Sequence, residues 1–178
     1  MQTIQVKDKK FKVSIPESEI LKEVKRVAEA LNKDYEGQEP VFLAVLNGSF
    51  MFAADLLKEI NLPCEISFVK LASYDGVSTT GKIRELVGLR TDITNRPVVV
   101  VEDIVDTGLT MAHLLDTLRK QNPSSIEVCT LLLKPEKLLV DLDVKYWCMK
   151  VPNDFIVGYG LDYNEMGRNL RDIYTVVE

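Results

Sequence analysis

Residues 98–111 read VVVVEDIVDTGLTM, and this stretch decides the fold. Four consecutive valines indicate a β-strand buried on both faces, because β-branched side chains suit a pleated strand and a central parallel strand has no polar side. Two acids, Glu102 and Asp103, follow the valines, and we expect the strand to end there. The apolar spacing after residue 108 then predicts a helix. Ligands bind at the carboxyl ends of strands in open α/β sheets, so we expect a site here.

The turn between this strand and helix, residues 106–110, has the composition of an anion site. Gly108 is flanked by the hydroxyls of Thr107 and Thr110, and the turn leads into a helix N-terminus. Free backbone N–H groups and the positive end of the helix dipole are therefore offered to a phosphate. The preceding acidic pair suits a metal ion or a sugar diol. The stretch predicts that phosphate, diol and metal bind side by side.

Two simpler interpretations of this stretch need to be weighed. The triplet Asp106-Thr107-Gly108 also occurs in aspartic proteases, but those need a second carboxylate copy to share a proton, and the triplet occurs once in this chain. Asp106 could alternatively be the N-cap of an ordinary helix. The acidic pair argues against that alternative, because adjacent carboxylates repel and the end of a buried strand has no structural need for them.

The composition limits the possible partners and location. The chain has 178 residues, 22 Lys+Arg against 27 Asp+Glu and a net charge of −5, which predicts one domain over residues 1–178 and argues against nucleic-acid or membrane partners. The three cysteines are odd in number and widely spaced, so neither a disulfide framework nor a zinc site is expected. No apolar run suggests a signal peptide, and we expect a cytoplasmic protein.

The strand, acidic pair, Asp-Thr-Gly turn and helix in this order resemble the phosphoribosyl-pyrophosphate (PRPP) motif of type I phosphoribosyltransferases. The rest of the chain resembles the hypoxanthine-guanine branch of that family over nearly its whole length. The alternation of strand and helix patterns also predicts a mostly parallel sheet covered on both sides. The expected fold is α/β, a mostly parallel twisted sheet flanked by helices, with a small hood built from the terminal segments.

The resemblance assigns roles to the residues of the motif. Asp106 would lie near purine N7 as the catalytic general base. The acidic pair would bind the ribose hydroxyls, directly or through Mg²⁺. The PRPP-binding residues that the resemblance implies are Glu102, Asp103, Asp106, Thr107, Gly108, Leu109 and Thr110.

A second strand, glycine turn and helix follow one another at residues 41–57. The sequence Asn47-Gly48-Ser49 is by itself only a turn. The resemblance makes residues 46–49 the pyrophosphate loop, in which Leu46, Asn47 and Gly48 hold the leaving group through backbone N–H groups and Gly48 allows close approach. Arg168 would also reach the pyrophosphate. Asn47 stands where family members often carry a basic residue.

The purine site is expected from two segments near the C-terminal end. Lys134 follows a predicted strand over residues 126–133 and would by itself be a solvated cap, but the resemblance has it donate to the purine 6-oxygen. Phe155 would stack on the base, although its neighbours alone favour a core position, and Ile156 would offer backbone groups to the base edge. Asp162 belongs to the same purine-binding segment. The expected metal ligands are Glu102, Asp103 and Asp162.

Residues 72–89 show no clear periodicity, which is long for a loop in a compact domain. Ser73 and Tyr74 match the family's mobile loop, so we expect a flexible loop at about 73–88 that closes over the reacting centre. A solvent-exposed hairpin extension is the alternative.

The resemblance implies a purine salvage enzyme. It would convert hypoxanthine or guanine and PRPP to IMP or GMP and pyrophosphate, with Mg²⁺ as cofactor, as a homodimer or homotetramer. One alternative is a nucleotide-sensing regulatory RNA-binding protein of the same fold, which the acidic charge and the absence of a basic stripe disfavour. Another is a transferase for adenine or a pyrimidine, which the pure donor Lys134 disfavours.

Overall fold

The computed structural model describes residues 3–73 and 84–177. These contain three α-helices, a short 3-10 helix (Pro135–Lys137) and ten strands. The helices are α1 (Glu17–Asp34), α2 (Phe50–Glu59) and α3 (Leu109–Arg119). The strands are β1 (Thr3–Val6), β2 (Lys9–Ile15), β3 (Val41–Leu46), β4 (Glu65–Ser73), β5 (Arg84–Val87), β6 (Pro97–Val105), β7 (Ser125–Leu133), β8 (Tyr146–Lys150), β9 (Ile156–Val157) and β10 (Ile173–Val177).

The main sheet has six strands in the order β5-β4-β3-β6-β7-β8. All neighbours pair in parallel except β5, which is antiparallel to β4. The four valines of β6 are fully buried at the centre. Val99 and Val101 pack on the face covered by α1 and α2, and Val98 and Val100 pack on the face covered by α3. The predicted, mostly parallel sheet between helices is therefore confirmed.

Helix α1 shows how the local sequence produces a helix that packs on the main sheet. Its buried residues recur at helical spacing and form one apolar face. Glu17 and Glu19 lie in the first turn, where the helix dipole favours acids, and the Glu17 N–H donates to Asp172 Oδ1 at 2.7 Å. The buried face consists of Ile20, Val24, Val27, Ala28 and Leu31.

A side chain of α1 bonds two backbone carbonyls of β8, the edge strand of the sheet. Arg26 Nη2 donates to the backbone carbonyls of Trp147 and Cys148 at 2.9 and 3.0 Å. The guanidinium also lies over the Trp147 ring, 5.6 Å from its centroid. A planar cation with several donors can satisfy the strand edge and stack on the aromatic ring at the same time.

The hood is a four-stranded antiparallel sheet in the order β1-β2-β10-β9, built from both terminal segments as predicted. Phe11, Val157 and Tyr174 are among the residues of its own small core. Lys134, just after the carboxyl end of β7, bonds the carbonyl of Asp154, just before β9. The hood therefore lies beside the carboxyl ends of the parallel strands, where the site was expected.

Two segments differ from the sequence-based expectation. Strand β6 does not end at the acidic pair but continues to Val105, because Ile104 and Val105 keep pairing with Leu132 and Leu133 of β7. The stretch expected to lack regular structure contains the end of β4 and all of β5, which pair with each other. Tyr74 and most of the predicted flexible loop lie outside the described residues. Across the described ranges, no helix combines the length and hydropathy needed to cross a membrane.

Candidate active site

The turn between β6 and α3 forms one wall of a cavity of about 160 Å³. Gly108 has φ 80°, in the left-handed region that favours glycine. A Cβ there would also approach Val140 Cγ2 to 2.9 Å, because residues 138–142 pack over the turn. Leu109 begins α3 with a half-exposed side chain that does not line the cavity. The lining residues are Glu102, Asp103, Ile104, Val105, Asp106, Thr107, Gly108, Thr110 and Met111.

The acidic pair lies inside β6, with each carboxylate held by the next backbone N–H. The Asp103 N–H donates to Glu102 Oε1 at 3.1 Å, and the Ile104 N–H donates to Asp103 Oδ1 at 2.8 Å. Burial raises the pKa of both carboxyls, and the Asp103 charge raises that of Glu102 further. Two desolvated acids this close are stabilised by a cation or by hydroxyl donors.

Residues 46–49, the predicted pyrophosphate loop, lie directly against this pair. A Cβ on Gly48 would collide with the Asp103 carboxylate, and a Cβ on Gly160 would collide with the Gly48 carbonyl. The Leu46–Asn47 peptide bond is cis. The loop therefore fits between β6 and residues 158–161 only because two glycines leave room. Gly160 was not predicted, although the sequence Gly158-Tyr159-Gly160 is a signal for unusual backbone.

The two carboxylate oxygens of Asp106 lie in different environments. Oδ2 accepts from Lys137 Nζ at 3.1 Å. Oδ1 is shielded from solvent and has no hydrogen-bond partner within residues 3–73 and 84–177. An acceptor shielded from solvent and without a partner carries a free-energy cost, and such atoms in native proteins call for an explanation such as a functional role. Sequence reasoning left open whether Lys137 or another basic residue after Lys134 has a structural role in the family's manner, and the structure pairs Lys137 with Asp106.

Lys134 is not a solvated cap, because only 7% of the residue is exposed. Its Nζ donates to the Asp154 carbonyl at 2.8 Å. Burial lowers the pKa of Lys134, and the nearby Asp106 charge opposes that effect. An ammonium has three N–H donors, so the bond to Asp154 leaves Lys134 with donors for a further acceptor.

Phe155 is not a core residue, because 45% of it is exposed. Its ring lies 6.1 Å from Phe11 and 5.5 Å from Tyr163, edge to face with the latter. One side of the ring thus rests on the hood and the rest is open, as a stacking platform requires. Ile156 lines a different cavity together with Ser14 and is not among the residues that line the cavity at the turn after β6.

Arg168 and Asp162 are paired with each other. Arg168 Nη2 lies 3.0 Å from Asp162 Oδ1, and Nη1 donates to the Gly160 carbonyl at 2.9 Å. The positive charge of Arg168 opposes the raised pKa of Asp103. The predicted pyrophosphate residues Gly48 and Arg168 are therefore brought together at one end of the acidic pair.

The predicted metal trio is not assembled in the same way. Within the described ranges, no group of three or more His, Cys, Asp or Glu side chains is placed to hold a metal ion. Glu102 and Asp103 are adjacent, but Asp162 is engaged by Arg168 and by the Glu165 N–H, which donates to Asp162 Oδ2 at 2.8 Å. The acidic pair is thus the part of the trio that the geometry offers to a cation.

Comparison with known proteins identifies the family of the chain. The phosphoribosyl transferase domain model matches residues 16–164. The hypoxanthine-guanine phosphoribosyltransferase of Streptococcus mutans is 44% identical over 160 residues, which is 89% of each chain. The same-named protein of Streptococcus agalactiae serotype V is 43% identical over the same length.

Solved structures give the same result. A crystal structure of a hypoxanthine-guanine phosphoribosyltransferase from Bacillus anthracis matches with a TM-score of 0.87 and 41% identity, over 93% of this chain and 98% of that one. A Trypanosoma cruzi hypoxanthine phosphoribosyltransferase in a ternary substrates complex matches with a TM-score of 0.86 and 35% identity, over 93% and 94%. The chain belongs to the type I phosphoribosyltransferases, and within them to the hypoxanthine-guanine branch that the sequence had indicated.

Proposed function

We propose that this chain transfers the phosphoribosyl group of PRPP to hypoxanthine or guanine in a Mg²⁺-dependent reaction that gives IMP or GMP and pyrophosphate. The observation that carries the proposal is the position of Asp106. It lies in the phosphate turn, close enough to Lys134 to affect the pKa of that residue, and its Oδ1 is buried without a partner. One carboxylate thus links the phosphate turn to the purine-recognition lysine.

The anionic parts of PRPP are assigned to the two glycine turns. The 5′-phosphate would bind at residues 107–110, where the N-terminus of α3 and two threonine hydroxyls meet. The pyrophosphate would bind the backbone of residues 46–48 and the guanidinium of Arg168. The carboxylates of the acidic pair lie between these two sites, where the ribose hydroxyls of PRPP would have to lie.

The base is assigned to the space between Lys134 and Phe155. The Lys134 ammonium donates and cannot accept, so it suits the 6-oxygen of hypoxanthine or guanine and not the 6-amino group of adenine. The exposed part of the Phe155 ring would stack on the purine, and backbone groups near Ile156 would face its edge. These features favour a 6-oxopurine over adenine or a pyrimidine.

The residues present fit a magnesium ion. Carboxylate oxygens are its preferred protein ligands, and Mg²⁺ is commonly bound by one or two carboxylates together with substrate phosphates and water, so a third protein carboxylate is not required. Glu102 and Asp103 would hold it. When bound, the ion would neutralise charge on the pyrophosphate.

The chain's own residues then account for the bond changes. The bond between the anomeric carbon and pyrophosphate breaks with its electron pair leaving on pyrophosphate, while purine N9 bonds to that carbon. Positive charge develops on the ribose, and the buried carboxylates beside it stabilise that charge. Purine N7 gives its proton to Asp106 Oδ1, while Lys137 holds the other oxygen of the carboxylate in place.

The proposal is tested by an absorbance assay of the purified protein with PRPP and Mg²⁺ against hypoxanthine, guanine, xanthine, adenine, uracil and orotate. Turnover with hypoxanthine and guanine but not with adenine, uracil or orotate is expected. Turnover confined to adenine or a pyrimidine would overturn the base assignment.

The RNA-binding alternative gains no support from the relatives above, and a gel shift with cellular RNA tests it directly. Assembly as a homodimer or homotetramer and a cytoplasmic location remain expectations from the family.

A further inference from the structure

We propose that Asp55 and Tyr159 are positioning residues that hold the pyrophosphate loop, residues 46–49, against Asp103 and Arg168. Neither side chain is among those assigned above to PRPP, the base or the metal. The inference rests on the proposed function of that loop. It concerns how the pyrophosphate site keeps its shape.

The link between the two residues is a hydrogen bond across the fold. The Tyr159 hydroxyl donates to Asp55 Oδ2, and Lys58 Nζ lies 2.5 Å from Asp55 Oδ1. Tyr159 is only 2% exposed. Burial, with the Asp55 carboxylate adding to it, raises the pKa of Tyr159, so the hydroxyl keeps its proton and remains a donor. Asp55 lies on α2, which starts one residue after the loop ends.

The backbone at Tyr159 needs such a restraint. Gly158, Tyr159 and Gly160 have φ values of 107°, 49° and 99° in succession. A left-handed conformation at a bulky residue such as tyrosine is unfavourable and persists only when the surroundings enforce it. The Tyr159 N–H donates to the Leu170 carbonyl at 2.8 Å, and its side chain is anchored on Asp55. The hydroxyl bond therefore helps to hold the turn.

The backbone turn at residues 158–160 determines where the pyrophosphate loop and Arg168 lie. Gly160 packs so closely on the Gly48 carbonyl that a Cβ would not fit. Gly160 also exchanges two bonds with Arg168, from its N–H to the Arg168 carbonyl at 2.9 Å and from Arg168 Nη1 to its own carbonyl at 2.9 Å. The contacts thus form a closed ring from the loop through α2, Asp55 and Tyr159 to Gly160, and back to the loop.

The chain offers a matched control for a purely structural role. The Tyr146 hydroxyl donates to Asp34 Oδ2 at 2.6 Å, and Lys145 Nζ lies 3.3 Å from the same oxygen. As in the Tyr159–Asp55 pair, a buried tyrosine donates a hydrogen bond to an aspartate on a helix, and a lysine pairs with that aspartate. Tyr146 begins β8 and so lies at the amino end of the parallel strands, opposite to the site.

The experiment compares Y159F, D55A, D55N and Y146F with the wild-type protein. For each, we measure Tm, the Kd of pyrophosphate with Mg²⁺ by calorimetry, and the KM values of PRPP and hypoxanthine. Y159F and D55A should raise the pyrophosphate Kd and the PRPP KM by about tenfold, the scale of one hydrogen bond to a charged group, with the hypoxanthine KM within about twofold of wild type. D55N keeps an acceptor oxygen and should lose less than D55A. Y146F should lower Tm as Y159F does and leave the Kd and both KM values unchanged.

Equal Kd and KM values for Y159F, Y146F and the wild type would overturn the inference, as would a parallel change in the PRPP and hypoxanthine constants. If Y159F does not fold, the comparison of D55N with D55A decides. Failure of the wild-type protein to bind pyrophosphate would also overturn the inference. Pyrophosphate binding that weakens in Y159F and D55A but not in Y146F, without turnover on any base, would instead overturn the proposed function and support the inference.

Discussion

The two glycine turns at the carboxyl edge of the sheet have the same local design and are held in place differently. Each joins a parallel strand to a helix, β6 to α3 and β3 to α2. Gly108 is required by its backbone, with φ 80°, whereas Gly48 is absent from the residues with positive φ and is required by space against Asp103. Residues 138–142 pack over the first turn, but its glycine is required by the backbone of the turn itself, whereas the glycine of the second turn is required by contacts with Asp103 and with residues 158–168. A local motif therefore identifies the first turn, and tertiary contacts identify the second.

The largest effect is expected in the first turn, at the residue that performs chemistry. Asp106→Asn keeps the shape of the side chain but removes most of its basicity, so turnover should fall by roughly two to four orders of magnitude with PRPP affinity largely retained. Steady-state kinetics and PRPP binding measure this. Asp116→Asn, the same change at an exposed site on α3, is the control. Wild-type-like turnover in Asp106→Asn would remove the general-base assignment.

A smaller effect is expected in the second turn, where a methyl group is enough to disturb geometry. Gly48→Ala would force the loop away from Asp103, and a displacement of about 1 Å can cost about a hundredfold in rate. Gly37→Ala is the control, because Gly37 has φ 74° but nothing within 4 Å of its Cβ position. The control should lose about 1 kcal/mol of stability and no activity. Normal kcat/KM for PRPP in Gly48→Ala would show that the close contact has no role in catalysis.

Lys134→Ala tests the proposed purine site, which lies outside both glycine turns. Loss of a charged donor to the purine oxygen is worth on the order of 1.5–3 kcal/mol, so the preference for 6-oxopurines over adenine should fall by roughly 10- to 100-fold. The PRPP KM should change little. Lys120→Ala, at an exposed site after α3, is the control. An unchanged base panel would mean that Lys134 serves only to bond Asp154.

The smallest effect concerns stability. Burial raises the pKa of Glu102 above 4.5, so the folded state binds this proton more tightly than the unfolded chain and loses stability as pH rises through the raised pKa. Glu102→Gln has no proton to lose, so without Mg²⁺ its Tm at about pH 8 should be higher than that of the wild-type protein. Each kcal/mol of added stability should raise Tm by roughly 2–4 °C. The gain should disappear near pH 4.5. Glu29→Gln, on the exposed face of α1, should show no such dependence, and a gain independent of pH in Glu102→Gln would contradict the explanation.

The sequence was sufficient where structure depends on local pattern. The valines of β6, the apolar face of α1 and the turn at Gly108 all follow from periodicity or from a single motif. The sequence failed where pairing between distant segments decides. Strand β6 continues past Glu102 and Asp103 because β7 keeps pairing with it. Asp55 and Tyr159 are 104 residues apart, and no local sequence pattern connects them. Lys134 and Phe155 could be placed only by the family resemblance, because their burial depends on the hood.

The covering of β8 by Arg26 bears on how copies of this protein can assemble. An uncovered edge strand can receive a strand from another molecule and extend the sheet. At Trp147 and Cys148 the carbonyls already accept from the guanidinium, and Trp147 is flanked by two cations, Arg26 and Lys150. A second copy approaching there would have to displace an arginine bound twice and would meet like charge. Pairing of two copies through their β8 strands is therefore disfavoured at Trp147 and Cys148.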